Sequence, residues 1–300
     1  MKRNLTILLS LLLLVSLASC QAGGGTDKTT ESKGASETAP GTAEPDTTEK
    51  AAETENETAP ETEPETEAET DPPFLGFEVT SISFLGDSIT YGTGVTPTKS
   101  RFSTVLAKRF GATEYNSGTP GSLLADAGSS ANEHNAFVHR ISKTDKGDVA
   151  VIFGGTNDYF WSDHPISGGD TDAYFDHAVK TLCQYVVEHR QGKPTLFVTP
   201  YPHNGIGNYF GGADSNDSSR HDTDSPNYFG HTLKDYADTI ERICGEYGIP
   251  CLNLYRDFPF DWEQHTVDGC HPNEEGHRLI ADAIEAELNA MLGRTAAEDR

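Results

Sequence analysis

The chain has 300 residues and a formal net charge of −25 at pH 7, with 47 acidic residues against 22 lysines and arginines. This balance argues against nucleic acid as a partner, because phosphate backbones are bound by basic surfaces. The larger apolar residues are concentrated at the start of the chain and between Phe74 and Leu292. The second stretch is long enough for one sizeable core, so we predict a folded domain over 73–293 and a flexible tail over 294–300.

The first twenty residues have the pattern of an export signal. Lys2 and Arg3 precede the apolar run LTILLSLLLLVSLAS, which is short for a membrane-spanning helix, and Cys20 follows. The sequence Leu-Ala-Ser-Cys at 17–20 resembles the lipobox of bacterial lipoproteins. That resemblance implies a signal peptide over 1–19 and a lipidated Cys20 that anchors the protein on the extracellular face of the bacterial cell membrane. The alternative is an ordinary signal peptide with an incidental cysteine.

The segment that follows has a different composition. Residues 21–72 repeat Glu, Thr, Ala and Pro, with fifteen acidic residues, three lysines and no Val, Leu, Ile, Met or aromatic residue. Such a segment cannot bury enough apolar surface to offset its ordering entropy, so it is predicted to be disordered. We expect the anchored linker over 20–72 to hold the folded domain away from the membrane.

Short apolar strands alternate with amphipathic helices through the rest of the chain. Strand patterns occur at 79–85, 149–155, 195–200 and 251–255, with a weaker one at 112–116. Helical patterns lie between them, and a last one over 280–292 has Asn273 as its predicted N-cap. This alternation predicts an α/β fold in which helices cover both faces of a parallel sheet, with ligands at the carboxyl ends of the strands.

Four cysteines follow Cys20 in the sequence, and their pairing is open. Cys244 and Cys251 flank the sequence GEYGIP, and a disulfide between them is possible in an exported protein, because the environment outside the cytoplasm is oxidising. Buried free cysteines are nevertheless common as small hydrophobic residues, and we favour free thiols.

Two motifs far apart in the chain provide a nucleophile and a base. The first strand ends in GDSIT, where Ser88 follows a glycine turn, although a serine there is also typical of a helix N-cap. Near the end of the chain, DGCHPN places Asp268 three residues before His271. One tight loop then lets the carboxylate accept the Nδ1–H of the imidazole and leaves Nε2 free to take a proton.

The same region also raises the alternative of a metal site. Candidate ligands are crowded between residues 265 and 277, but their spacing matches neither the two-Cys, two-His pattern nor H-E-x-x-H, so no metal is predicted. These candidates are His265, Asp268, Cys270, His271 and His277.

Other strand ends supply donors for a developing negative charge. Asn157 in GGTND offers a side-chain amide beside two glycines, and no G-K-[ST] follows to complete a phosphate-binding loop. After the weak second strand, NSGTPGS offers a backbone N–H at Gly121, with Gly118 as the alternative.

Taken in order, GDSIT, NSGTPG, GGTND and DGCHPN resemble the four blocks of the SGNH (GDSL) hydrolase family. The resemblance covers essentially the whole folded domain and implies a flavodoxin-like three-layer sandwich. It implies that Ser88 is the nucleophile, His271 the general base and Asp268 its orienting partner. The backbone N–H groups of Ser88 and Gly121, with the Asn157 side chain, are then the oxyanion hole. No metal or organic cofactor is implied.

These features predict an extracellular serine esterase that hydrolyses short-chain esters, acetyl above all, on carbohydrate through an acyl-serine intermediate. The unusually long segment 201–229 is rich in Gly, Asn, Asp and Ser with interspersed aromatics, which suits a sugar ring better than a long acyl chain. The alternative for the 201–229 segment is an incidental surface insertion. The alternatives for the protein are a glycan acyltransferase with the same residues and an inactive surface-binding lipoprotein. The oligomeric state stays open. Expected substrate contacts are Asp87, Tyr159, Trp161, Tyr209 and Tyr228.

Overall fold

The fold is described from a computed structural model, in which residues 72–96, 98–128, 135–204, 225–256 and 258–294 are placed. These residues belong to one compact unit. The predicted signal peptide, Cys20, nearly all of the linker, Tyr209 and residues 295–300 of the tail lie outside the described residues.

A parallel sheet runs through the centre of the described residues. Its strands are β1 (Ser81–Gly86), β2 (Thr113–Gly118), β3 (Val149–Phe153), β4 (Thr195–Val198) and β5 (Cys251–Leu252). They are ordered β2-β1-β3-β4-β5, and every neighbouring pair is parallel. This is the strand order of flavodoxin-like folds, so the predicted fold class is confirmed.

The helices occupy the connections between the strands. They are α1 (Ser88–Tyr91), α2 (Phe102–Arg109), α3 (Phe137–Arg140), α4 (Thr156–Trp161), α5 (Phe175–His189), α6 (Leu233–Glu246), α7 (Trp262–His265) and α8 (Glu274–Leu292), with 3₁₀ turns at Thr98–Ser100 and Ile141–Lys146. Asn273 caps α8, as predicted, by accepting the N–H of Gly276 at 3.0 Å. None of the helices within the described ranges has the length and hydropathy to cross a membrane.

Successive strand residues point to opposite faces of the sheet, and each face has its own helices. Phe84 and Val151 pack in a cluster with α2 and α8, whereas Leu85 and Ile152 pack in a second cluster with α5 and α6. Both faces of the central strands are therefore buried, which is why these strands read as continuous apolar runs in the sequence.

The fifth strand is shorter than its sequence pattern predicted. The apolar run extends to Tyr255, but the strand ends at Leu252 because side chains take the next backbone donors. The N–H of Leu254 donates to Oγ1 of Thr199 at 3.0 Å, and the N–H of Tyr255 donates to Oδ1 of Asn253 at 3.0 Å. These bonds replace ladder bonds and turn the chain away from the sheet edge.

The described cysteines are free thiols, in agreement with the prediction that Cys244 and Cys251 are not joined. Cys183 and Cys244 are both buried, and their sulfur atoms lie 3.9 Å apart between α5 and α6. These thiols thus fill space in the core as small apolar groups.

Candidate active site

Ser88 stands at the point where β1 changes into α1. Asp87 is the N-cap of α1, because its Oδ1 accepts the N–H of Ile89 at 2.9 Å, and Ser88 is the first helical residue. A Cβ on Gly86 would lie 1.9 Å from Oγ1 of Thr90, so glycine lets the helix pack directly on the strand end. The N-cap is therefore Asp87, and the hydroxyl of Ser88 is left for another partner.

That partner is His271. Its Nε2 lies 2.9 Å from Oγ of Ser88, and its Nδ1 lies 2.7 Å from Oδ2 of Asp268. An ionised carboxylate only accepts hydrogen bonds, so Nδ1 carries the proton and Nε2 is left to accept from the serine hydroxyl. Ser88 and His271 are both nearly enclosed, whereas the side chain of Asp268 is partly exposed.

The loop around Asp268 holds the carboxylate in its ionised form. Oδ1 accepts the backbone N–H groups of Cys270 at 3.0 Å and His271 at 2.7 Å. Partial burial raises the pKa of Asp268, but the hydrogen bonds from the His271 ring and backbone outweigh it and hold the pKa below its usual value. The loop is also held by the segment that follows β4, since the hydroxyl of Tyr201 donates to the carbonyl oxygen of Cys270 at 2.7 Å.

Asn157 reaches the same place from β3. Gly155, with φ of 111°, turns the chain out of the strand and places Asn157 in the first turn of α4. Its Nδ2 donates to the carbonyl oxygen of Ser122 at 3.1 Å and lies 3.4 Å from Oδ2 of Asp87. Because these two residues adjoin Gly121 and Ser88, the amide lies among the predicted oxyanion-hole groups.

The backbone donors distinguish Gly121 from Gly118. The N–H of Gly118 is used, since it donates to Oδ1 of Asn116 at 2.9 Å. Within the described ranges, the N–H groups of Ser88 and Gly121 donate to no other group. The geometry therefore favours Gly121 over Gly118 as the residue with an available donor.

The buried carboxyl groups of Asp87 and Asp158 near the site have structural roles that the sequence analysis did not predict. Asp158, directly after Asn157, accepts the backbone N–H groups of Leu124 at 2.9 Å and Ala125 at 3.0 Å. Burial raises its pKa to about 7 and that of Asp87 to about 6, although hydrogen bonds from backbone N–H groups pull both the other way. Asp87 is thus occupied as a buried helix cap, which corrects its expected role as a substrate contact.

The expected aromatic contacts are placed differently from one another. Tyr159 is only 3% exposed, packs in the core and donates its hydroxyl to the carbonyl oxygen of Ser225 at 2.7 Å, so its ring is occupied in the core and is not exposed to a substrate as expected. Trp161 ends α4 and is partly exposed, and Tyr228 is 96% exposed. Tyr209 lies outside the described residues.

The crowded histidines near the end of the chain have separate partners. Nδ1 of His277 accepts the N–H of Phe102 at 3.3 Å, and Nδ1 of His265 accepts the N–H of Asp261 at 2.9 Å. Across the part of the chain that the structure describes, no three His, Cys, Asp or Glu side chains are grouped so as to hold a metal ion.

Comparison with known proteins agrees with this geometry. Residues 84–279, more than half of the chain, match the model of the GDSL-like lipase/acylhydrolase family, and the chain belongs to that family. It is accordingly a serine ester hydrolase by class. No curated protein is significantly similar to the sequence.

Solved structures show the same fold. A protein of Lactobacillus plantarum is 26% identical, with a TM-score of 0.59 over 71% of this chain and 98% of its own. A possible lipase from Chitinophaga pinensis is 19% identical, with a TM-score of 0.54 over 73% of this chain and 100% of its own. At 19% identity, the likeness to the Chitinophaga protein is one of fold alone.

Proposed function

We propose that this chain is an extracellular esterase that removes short acyl groups, acetyl above all, from carbohydrate through an acyl-Ser88 intermediate. The observation that carries the mechanism is the chain of hydrogen bonds from Oγ of Ser88 through His271 to Asp268. A serine hydroxyl is a weak nucleophile until a neighbouring base takes its proton, and this arrangement supplies that base together with the group that orients it.

The reaction proceeds in two acyl transfers. Oγ of Ser88 attacks the ester carbonyl carbon while Nε2 of His271 takes the hydroxyl proton, and the imidazolium that forms is stabilised by Asp268. His271 then gives this proton to the departing alcohol oxygen as the bond to the acyl carbon breaks. A water molecule next attacks the carbonyl carbon of the acyl-serine while His271 takes a proton from this water. His271 then gives the proton to Oγ of Ser88 as the bond to the acyl carbon breaks and the carboxylic acid is released.

The oxyanion of each tetrahedral intermediate is stabilised by the N–H groups of Ser88 and Gly121 and by the amide of Asn157. The 3.4 Å contact from Nδ2 of Asn157 to Oδ2 of Asp87 is long for a hydrogen bond. The N–H that points to Asp87 therefore forms a stronger hydrogen bond with the oxyanion than with Asp87. Donors held in place before the reaction stabilise developing charge without having to reorganise.

The preference for a short acyl group is supported by the composition of the described surface. A long acyl chain needs a continuous aliphatic surface. The large hydrophobic side chains exposed on the described surface are Leu75, Tyr91, Tyr115, Val187, Tyr228 and Val267. The aliphatic members of this set lie on separate elements, whereas Trp161 and Tyr228 offer aromatic faces suited to a sugar ring.

The extracellular location rests on the first twenty residues. A full-length protein expressed in a bacterial host is expected to partition into detergent and to incorporate labelled lipid, and Cys20→Ala is expected to lose both. A chain that begins near Asp71 is expected to be fully active without the membrane. Lipid labelling of Cys20→Ala would overturn the proposed anchor.

The substrate is tested with one set of esters. Acetylated xylo-oligosaccharides and p-nitrophenyl acetate are compared with p-nitrophenyl octanoate, using wild type and Ser88→Ala. We expect acetyl esters to be preferred and Trp161→Ala to raise KM for the saccharide but not for p-nitrophenyl acetate. Tyr115→Ala, which removes an exposed aromatic ring from the middle of edge strand β2, is the control. A preference for octanoyl esters would overturn the proposed specificity.

A further inference from the structure

The side chain of Arg140 joins the ends of two strands to the loop that carries Gly121. Its Nη1 donates to the carbonyl oxygen of Ser117 at 2.7 Å and to Oγ1 of Thr119 at 3.0 Å. Its Nη2 donates to Oγ of Ser122 at 2.7 Å and to the carbonyl oxygen of Gly86 at 3.3 Å. The same guanidinium therefore holds the carboxyl ends of β1 and β2 and both sides of Gly121.

A second anchor holds the far side of this loop. The carboxylate of Asp158 accepts the N–H groups of Leu124 and Ala125, and the amide of Asn157 binds the carbonyl oxygen of Ser122. Gly121 lies between Thr119 and Ser122, which Arg140 binds, and α4 holds the residues that follow from Ser122 to Ala125. Its backbone N–H is thus fixed relative to Ser88, because Arg140 binds the carbonyl oxygen of Gly86 at the end of β1 as well.

The charge of Arg140 also bears on the site. The guanidinium is partly buried, and this burial lowers its pKa to about 10 while the charge of Asp87 acts in the opposite direction. Arg140 thus remains a cation close to the carboxyl group that the amide of Asn157 approaches. Its ring contact, with the guanidinium carbon 5.3 Å from the centre of Phe137, limits the movement of the side chain.

We propose that Arg140 is a positioning residue for ester hydrolysis, which fixes the backbone N–H of Gly121 beside Ser88 and so completes the oxyanion hole. The inference rests on the proposed function, since Arg140 itself touches no reacting atom. The planar guanidinium reaches these four acceptors from fixed directions, and its Nε donates to a fifth, the carbonyl oxygen of Asn135, at 2.6 Å. A lysine ammonium on its flexible stem cannot reproduce all of these bonds. The loss of Arg140 should therefore reduce kcat more than it raises KM, because misplaced donors weaken binding of the transition state above all.

Arg190 is a matched control at the opposite end of the sheet. Like the partly buried Arg140, the buried Arg190 donates to backbone carbonyl oxygens, but these belong to the segments before β3 and β4. Its acceptors are the carbonyl oxygens of Thr144, Gly147, Asp148 and Pro194 and Oγ1 of Thr195. Arg190→Lys is expected to lower stability and to leave kcat within a factor of about two, because the carboxyl ends of the strands are untouched.

The experiment measures kcat, KM and thermal unfolding on p-nitrophenyl acetate for wild type, Ser88→Ala, Arg140→Lys, Arg140→Gln, Arg140→Ala and Arg190→Lys. We expect kcat to fall about 100-fold in Arg140→Gln and less in Arg140→Lys, with KM changed by less than about threefold. Ethylguanidinium is expected to restore part of kcat to Arg140→Ala and nothing to Ser88→Ala.

Three results would overturn the inference while leaving the proposed function intact. They are wild-type kcat in folded Arg140→Lys and Arg140→Gln, a change confined to KM, or an equal loss of kcat in Arg190→Lys at equal thermal stability. An inactive wild type, or a fully active Ser88→Ala, would overturn the proposed function and this inference with it.

Discussion

Asn157 donates a hydrogen bond of 3.1 Å to the carbonyl oxygen of Ser122 and so ties α4 to the loop that carries Gly121. This bond fixes one N–H of the amide while the other approaches Asp87. The amide is therefore oriented before the reaction, which is the condition under which a hydrogen-bond donor contributes most to transition-state stabilisation.

Removal of this amide is expected to reduce turnover. Asn157→Ala should lower kcat about 100- to 1000-fold, with little change in KM, because the amide binds an oxyanion that exists only in the transition state and intermediates. Asn253→Ala is the control, since the Asn253 side chain bonds to backbone and hydroxyl groups at the edge of the sheet. Equal kcat in Asn157→Ala and wild type would remove Asn157 from the oxyanion hole.

Asp268 is expected to act only through His271. Asp268→Asn should keep the fold and lower kcat about 10⁴-fold, because a carboxamide lets the imidazole adopt the wrong tautomer. Asp261→Asn is the control and is expected to leave kcat unchanged, because Asp261 caps α7 by accepting the N–H of Glu263. Steady-state kinetics with circular dichroism checks both variants, and an Asp268→Asn enzyme as active as wild type would contradict the assignment.

The buried carboxyl of Asp87 predicts a pH dependence of stability. Its pKa rises from 3.8 in the unfolded chain to about 6 in the fold, chiefly through burial, so the folded protein binds more protons between these values. The free energy of unfolding contributed by this group therefore falls as pH rises from about 4 to about 6 and stays low above that. Asp87→Asn retains a cap for α1 and cannot ionise.

Urea unfolding should show Asp87→Asn to be more stable than wild type at pH 8 by up to about 3 kcal/mol, with the gain shrinking towards pH 4. Asp148→Asn should behave in the opposite way. Hydrogen bonds from Thr80 and Ser81 lower the pKa of Asp148, so its carboxylate stabilises the fold above pH 4 and that contribution is lost in acid. A gain for Asp87→Asn that does not vary with pH would contradict the buried, titrating carboxyl.

The cysteines give a chemical test of the core. A chain over 72–294, purified without reductant and unfolded in guanidinium, is expected to release four thiols to a disulfide reagent. In the folded state Cys183, Cys244 and Cys270 should react slowly, because they are buried and only the thiolate reacts. Two thiols in the unfolded chain would show that a bridge forms after all.

The sequence was most informative where function requires fixed residue types. Ser88, Asn157, Asp268 and His271 stand in short motifs at strand ends, and the structure brings their side chains together. The continuous apolar strands also predicted a parallel sheet, since both of its faces are covered by helices.

The roles of Arg140 and Asp158 could not be read from the sequence. Most of their hydrogen-bond partners are backbone groups, up to 54 residues away in the chain, and a backbone carbonyl or N–H has no signature in the sequence. Tyr159 was misassigned for a related reason. An aromatic residue beside a functional motif looks the same whether it faces solvent or the core, and packing against Tyr236 and Phe160 decides the matter.

The central claim is that an acyl group passes through Ser88, and trapping this intermediate tests it most directly. The enzyme is mixed with p-nitrophenyl acetate, quenched in acid within milliseconds and digested, and the peptides are examined by mass spectrometry. The account predicts acetyl on the peptide that contains Ser88 in wild type, more of it in a variant with slow deacylation, and none in Ser88→Ala, which should also be inactive. Hydrolysis by Ser88→Ala, or acetyl carried on another residue at a rate that matches turnover, would contradict it.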